Sequence, residues 1–355
     1  MGIVGYGFAA KTFHAPLIGA APGLALSMVA SHDPLKVHAD LPSVTVLADP
    51  LALVNSSDVD LVVIASPNDT HLPLARAALA AGKHVVVDKP FTLTLADARD
   101  LVATARRHNR LISAFQNRRW DSDYLSIRAA IAGGLVGRVV HFESHFDRYR
   151  PEVRKRWRES EQPGGGVWFD LGPHLVDQAL QLFGLPDRVQ ASFARQRSGS
   201  LVEDWSHVVL EYSARRVILH AAMLAAGGVH RFLVHGISAS LAKRKPDRQE
   251  AQLIAGMKPG DEGWGVDPDD MLFFDGSGTC TESPALPGDQ RSFYRGIAAS
   301  LRGEAPNPVT PAQILGVMAV IEAAIFSARL GAAVEPALEA HERSAFASDT
   351  AVAQA

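Results

Sequence analysis

Gly2-Ile3-Val4-Gly5-Tyr6-Gly7-Phe8-Ala9-Ala10 opens the chain, and its reading decides the fold of the first third. A short apolar strand runs into Gly5-x-Gly7-x-x-Ala10, and the residues that follow, through Ile18, suit a helix. In such a strand-turn-helix the first glycine makes the tight turn and the second lets a pyrophosphate approach the main chain. The last small residue lets helix and strand pack closely. Unpaired N–H groups at the helix start favour the anion, so Gly5, Gly7, Phe8, Ala9 and Ala10 form the expected cofactor loop. The strand starts almost at residue 2, which suggests a native start upstream of Met1 or a trimmed first strand.

Downstream, strand and helix patterns alternate. Residues 24–30, 60–65, 84–87 and 111–115 read as strands; 74–81 reads as a helix stopped by Gly82, and 94–108 as a helix capped by Thr94. This order predicts an α/β Rossmann domain, a doubly wound parallel sheet with right-handed crossovers, over residues 1–117. At the second strand's end stands Ser31-His32-Asp33-Pro34. An acid in the first place would bind the ribose of NAD, but Ser31 and His32 come first, so NADP is the expected cofactor and NAD the alternative. Asp33-Pro34 also reads as a plain turn start. Ser66-Pro67-Asn68, with His71 shortly after, should lie over the cofactor, although capping explains Asn68 and Thr70 equally well. Val85-Val86-Val87 leads into Asp88-Lys89-Pro90, placing a lysine where open α/β sheets do their chemistry, or where a strand merely returns to solvent.

After Trp120 the pattern changes. Residues 139–147 alternate strictly: Val140, Phe142, Ser144 and Phe146 point one way, and His141, Glu143, His145 and Asp147 the other. With further β runs at 205–212, 217–223 and 231–236, this predicts an α+β domain over 118–331 with a large, mostly antiparallel open sheet, then a C-terminal tail over 332–355. Helices at 292–302 and 311–329 are expected to close that domain. His141, His145, His207 and His220 lack tight ligand spacing and read as solvated sheet positions, so no metal is expected. The densest polar cluster is Gly164 to Asp177. There Asp170 and His174 are four apart and share a face if a helix begins near Asp170. Such a pair suits proton exchange near neutral pH, and equally suits the first turn of an amphipathic helix.

Taken in order, the glycine fingerprint, Ser66-Pro67-Asn68 with His71, Asp88-Lys89-Pro90 and Asp170-Leu171-Gly172-Pro173-His174 resemble the glucose–fructose oxidoreductase / inositol dehydrogenase / rhizopine catabolism family. The resemblance covers about residues 1–330. It is nearest the NADP-dependent scyllo-inositol dehydrogenase branch, through Asn117-Arg118-Arg119-Trp120-Asp121, Arg148-Tyr149-Arg150-Pro151-Glu152-Val153, Arg156-Trp157-Arg158 and Trp264-Gly265. Asp88 replaces the family's usual glutamate, and His32 stands where that branch commonly carries arginine. The resemblance implies hydride transfer between NAD(P) and a secondary alcohol or ketone of a cyclic polyol or sugar. By similarity His174 is the acid/base, Lys89 bonds the reacting oxygen and the nicotinamide ribose, and Asp170 orients both. Asp88 and Asn117 touch the cofactor. Polyol recognition falls to Asn117, Arg148, Tyr149 and Trp157 along with Lys89, Asp170 and His174. The competing reading is a non-catalytic regulator of the same fold that binds dinucleotide and sugar; an intact proton-transfer set argues against it.

Composition narrows the partners. The 355 residues exceed what one core of ~250–300 residues usually holds, so two domains are expected. A net charge of −3 with no basic stripe excludes recruitment of nucleic acid or an anionic membrane by a global field. One cysteine, Cys280, allows no intrachain disulfide and fits a reducing cytoplasm. Gly5, Gly7 and Pro16 interrupt any secretory signal, and no stretch reaches the ~18–20 uninterrupted apolar residues of a membrane span. The expected partners are a small polyol or sugar and a second copy of the chain, as a homodimer or homotetramer through the open sheet.

Overall fold

Leu61-Val62-Val63-Ile64 and His84-Val85-Val86-Val87 are nearly continuous apolar runs because strands of a parallel sheet are covered on both faces. In the computed structural model, which describes residues 1–355 except 155, 229 and 355 and omits the side chains of 157 and 350–354, both runs are buried apart from the half-buried His84. The strands are β1 Gly2–Val4, β2 Met28–Ala30, β3 Thr45–Leu47, β4 Leu61–Ile64, β5 His84–Val87, β6 Ile112–Ala114 and β7 Val139–Asp147. They continue as β8 Arg188–Ala194, β9 Trp205–Tyr212, β10 Arg215–Ala222, β11 Phe232–Gly236, β12 Ser240–Lys243, β13 Met271–Phe274 and β14 Cys280–Ser283. The helices are α1 Ala15–Gly19, α2 Pro34–Asp40, α3 Pro50–Val54, α4 His71–Ala80, α5 Leu95–Arg107 and α6 Ser122–Ala132. After them come α7 Val167–Phe183, α8 Gln249–Ile254, α9 Arg291–Leu301, α10 Pro311–Leu330 and α11 Ala340–Gln354.

The chain divides into two compact units, Met1–Asn117 with Gln249–Trp264 and Asp289–Ile314, and Arg118–Arg248 with Gly265–Gly288 and Leu315–Ala355. In the first unit six parallel strands run in the order β3-β2-β1-β4-β5-β6, so the order reverses between β1 and β4. That reversal opens a crevice beyond the carboxyl ends of β1 and β4. Thr94 Oγ1 accepts from the Asp97 N–H at 3.1 Å and starts α5, as its sequence position predicts. Helix α9, expected to close the second domain, packs instead within the first unit, where Phe293 meets Phe115 edge-on at 5.0 Å. Its aromatic face matches the ring at the end of β6, a partner that periodicity does not name.

In the second unit eight strands run in the order β14-β13-β12-β11-β7-β10-β9-β8, antiparallel except for β7 and β10. One face is covered: Phe142, Ser144, Val208, Leu219 and Val234 are fully buried, as are Leu175, Val176, Ala179 and Leu180 on α7. Trp168 of α7 donates to the Ile321 carbonyl of α10 at 3.2 Å. Helix α10 is long and apolar enough to cross a bilayer by length and composition, and 67% of that stretch is buried. It is apolar around much of its circumference, as suits a helix enclosed by its own fold. The tail contains α11, whose Phe346 is buried against Gly316 of α10; a Cβ there would come within 2.8 Å of the ring.

Candidate active site

The glycine loop is shaped by its neighbours. Gly5 has φ +89°, and a Cβ on it would lie 2.8 Å from the Ala65 carbonyl oxygen at the end of β4. A Cβ on Gly7 would meet nothing within 4 Å, so the main chain there is open to an approaching group. Ala10 is fully buried, Phe8 is 55% exposed, and Ala10–His14 forms a π turn leading into α1. These residues fit a dinucleotide pyrophosphate. At the end of β2, Ser31 Oγ accepts from the Asp33 N–H at 3.2 Å, while Asp33 Oδ1 accepts from the Lys36 N–H at 3.0 Å and caps α2. The acid of this strand end is therefore used locally, and His32 is exposed beside it.

Beyond β4, Ser66 Oγ lies 2.6 Å from Thr70 Oγ1, which donates to the Pro67 carbonyl at 2.6 Å, and Asn68 is buried. The buried His71 spans two loops, its Nδ1 2.9 Å from the Pro90 carbonyl and its Nε2 3.0 Å from the Ser66 carbonyl. Burial lowers its pKa against the pull of Asp88 and the carbonyls, so a neutral ring donates to one carbonyl at a time. His71 thus ties the loop after β4 to the loop after β5. Asp88 is buried at the end of β5, and its Oδ1 accepts from the Lys89 N–H at 2.8 Å. Lys89 is half-buried and precedes a cis peptide bond to Pro90. Burial alone would push the Asp88 carboxyl up; His14, Lys89 and His71 outweigh it and hold it at about 2. Asn117 donates to Gln290 Oε1 at 3.0 Å.

His14 and Tyr294 are the residues that sequence reasoning missed here. His14 is fully buried, with Nδ1 2.6 Å from the Tyr294 hydroxyl, Nε2 3.9 Å from Asp88, and its ring 4.0 Å from that of Phe115. A histidine four residues past Ala10, just before the apolar run Ala15-Pro16-Leu17-Ile18, was the available signal.

In the second unit, Gly166 at φ +95° starts α7; a Cβ there would run into the Glu203 carboxylate. Asp170 falls in the first turn, its Oδ1 3.2 Å from Arg158 Nε. His174 lies one turn on and is 4% exposed. Arg119 holds the helix by a two-pronged pair to Asp177, at 2.8 and 2.6 Å. Gln178 donates to the Arg118 carbonyl at 2.8 Å and accepts from Arg231 at 2.8 Å. Arg148 and Tyr149 line a cavity of about 260 Å³ with His145, Asp147 and Arg231. Asp170 lines a different, water-sized cavity of about 20 Å³ with Arg156, Arg158 and Arg197. Trp157 lies in a short 3₁₀ turn, and its side chain is outside the described residues.

Two of the four sheet histidines are not the solvated positions that alternation suggests, whereas His141 keeps 31% of its side chain exposed. His145 and His220 side chains are 12% and 14% exposed, because the parallel pairing of β10 with β7 sets His220 level with His145. Trp205 covers the same row, its ring stacked 6.0 Å from His207 and edge-on to His220 at 5.4 Å.

A Rossmann sheet with a glycine cradle at its switch point, followed by an α/β unit built on a large open sheet, defines a two-part NAD-binding oxidoreductase. The chain belongs to the Gfo/Idh/MocA oxidoreductase family: residues 1–116 match its NAD-binding Rossmann fold and residues 128–335 its C-terminal alpha/beta domain. It is 49% identical over 332 residues to the uncharacterised oxidoreductase YdgJ of Escherichia coli, covering 93% of this chain and 96% of that one. It is 35% identical over 334 residues to the scyllo-inositol 2-dehydrogenase (NADP+) IolW of Bacillus subtilis, covering 93% of each. A crystal structure of an oxidoreductase from Klebsiella pneumoniae superposes with TM-score 0.93 at 54% identity, covering 99% of both chains.

Proposed function

We propose that the chain is a cytoplasmic NADP-dependent dehydrogenase, NAD being the alternative, that interconverts a secondary alcohol and a ketone on a cyclic polyol or sugar. The observation that carries this reading is one sheet edge. Gly5 and Gly7 after β1, Ser66 to Asn68 after β4, and Asp88-Lys89 after β5 all leave the carboxyl ends of adjacent strands at the switch point. The inositol dehydrogenase relative supports the substrate class. Asp33, engaged as the α2 cap, supports NADP.

When bound, the nicotinamide takes up or returns the hydride of the substrate C–H bond. Lys89 Nζ hydrogen-bonds the reacting oxygen, and a ring nitrogen of His174 takes the hydroxyl proton in oxidation and returns it in reduction. Asp170, one turn earlier on α7, orients His174, and Arg158 holds Asp170. His71 and Asp88 position the loops that carry Ser66 and Lys89. Ser31 and His32 face the adenosine phosphate. Asn117, Arg148, Tyr149 and Trp157 recognise substrate hydroxyls and ring carbons. The open sheet face of the second unit serves a homodimer or homotetramer.

The test is a screen of inositols and aldoses against NADP and NAD in parallel, followed by Lys89→Ala and His174→Ala on the best substrate. Each substitution is expected to lower kcat/KM by about 10²–10⁴-fold. Turnover near wild type in either variant refutes its assigned role, and tenfold or greater preference for NAD refutes the cofactor assignment. Tight dinucleotide binding with no turnover on any polyol or sugar favours the regulatory reading.

A further inference from the structure

The open face of the eight-stranded sheet gathers groups that the proposed reaction does not use. Strict alternation along β7 puts His141, Glu143, His145 and Asp147 on that face, and β10 brings His220 alongside His145. One ligand atom each from His145, Asp147 and His220 fall within 4.8 Å of one another. His145 Nδ1 is 3.6 Å from Asp147 Oδ2, and His220 Nε2 is 3.6 Å from Asp147 Oδ1.

Those contacts are too long for hydrogen bonds. His145 Nδ1 and Asp147 Oδ1 are buried with no hydrogen-bond partner, and the Asp147 side chain is only 6% exposed. The remaining ring atoms are already committed. His145 Nε2 lies 2.7 Å from Glu143 Oε2; a neutral ring that donates there has its Nδ1 lone pair aimed at the cluster, and an ion bound at Nδ1 selects that tautomer. His220 Nδ1 faces His207 Nδ1 at 3.4 Å, so a proton there leaves the Nε2 lone pair aimed the same way. A carboxylate bonded to the far nitrogen of a histidine is the usual outer support of a metal ligand. Donors about 2.0–2.1 Å from a tetrahedral ion stand roughly 3.3–3.4 Å apart, so the two His–Asp contacts of 3.6 Å need to close by only a few tenths of an ångström around an ion.

We propose that His145, Asp147 and His220 form a site for a divalent transition-metal ion, with zinc the best match. Two imidazoles and one carboxylate suit zinc, cobalt or nickel better than magnesium or calcium, which prefer all-oxygen shells. His145 and Asp147 also line the 260 Å³ cavity, which provides an entry path and room for water at a fourth position. The pairing that creates the site is between strands β7 and β10, far apart in sequence, so the ion ties the centre of the sheet together.

The test uses tag-free full-length protein stripped with a chelator and titrated with zinc by calorimetry and equilibrium dialysis. The expected result is one zinc per chain, with a Kd below about 1 µM. Asp147→Asn and His220→Ala are each expected to weaken binding by at least about tenfold, while His141→Ala, on the same face but outside the cluster, leaves it unchanged. Thermal melts of the zinc-free variants confirm folding. Cobalt is expected to give the visible absorption of a low-symmetry site in the wild type and not in Asp147→Asn. No saturation up to about 100 µM zinc overturns the proposal. Binding that is equal in the wild type and both cluster variants overturns it as well, since the ion then sits elsewhere.

Discussion

Replacing Asp88 by Asn removes the buried carboxylate beside Lys89 and keeps its shape. Asp88 is 6% exposed, and its carboxyl is held at about 2 against an ordinary 3.8, because His14, Lys89 and His71 outweigh the opposing effect of burial. At about 1.4 kcal/mol per pH unit, that difference corresponds to about 2–3 kcal/mol of folding stability. The folded chain holds this proton less tightly than the unfolded chain. The stabilisation is therefore complete above about pH 5 and is lost as pH falls toward 2, with about half remaining near pH 3. The assay is urea unfolding of the wild type and Asp88→Asn at a series of pH values, followed by circular dichroism. The stability gap between the two proteins should shrink by about 2 kcal/mol between pH 5 and pH 2. A gap constant to within about 0.5 kcal/mol over that range would refute the account, since Asp88 would then gain nothing from its neighbours as a charge.

Other outcomes follow from single contacts. Gly5→Ala forces a side chain into φ +89° and to 2.8 Å from a main-chain oxygen, so it should cost about 2–3 kcal/mol in urea unfolding and abolish quenching of NADPH fluorescence on binding. Asp33→Asn keeps the cap oxygen and should leave both stability and the ratio of kcat/KM for NADP over NAD unchanged; Asp33→Ala should cost about 1 kcal/mol with the same ratio. A large shift in that ratio with Asn would show that the charge of Asp33 reads the ribose. Asp177→Leu removes the two-pronged ion pair of the Arg119 guanidinium, a side chain only 8% exposed, and should cost several kcal/mol. The double change Arg119→Leu/Asp177→Leu should cost much less, as a double-mutant cycle in urea would show.

Much of the fold was legible because it is written locally. The runs of β4 and β5, the Thr94 cap and the alternation of β7 all follow from side-chain patterning and from which main-chain groups a nearby side chain can satisfy, whereas the short, half-exposed β3 carries no such pattern. The glycine loop is of the same kind in part: Gly5 is required locally by its own φ, while the Ala65 carbonyl that also excludes a side chain is brought in by the pairing of β1 with β4. Asp33 shows the limit of such reading: its place in the sequence allowed a cofactor ligand or a turn residue, and only the position of the Lys36 N–H engages it as a cap.

The sequence by itself determined the strand-turn-helix opening, the buried runs of β4 and β5, the span and cap of α5, and the polar face of β7. Tertiary structure alone decided which distant groups meet. It set His14 of the π turn before α1 against Tyr294 of α9 and 3.9 Å from Asp88, placed α9 in the first unit, and put His220 beside His145 through the parallel pairing of β7 with β10. The reason is physical. Periodicity fixes which side of an element is apolar, but which surface covers that side depends on the shape and volume of elements tens to hundreds of residues away.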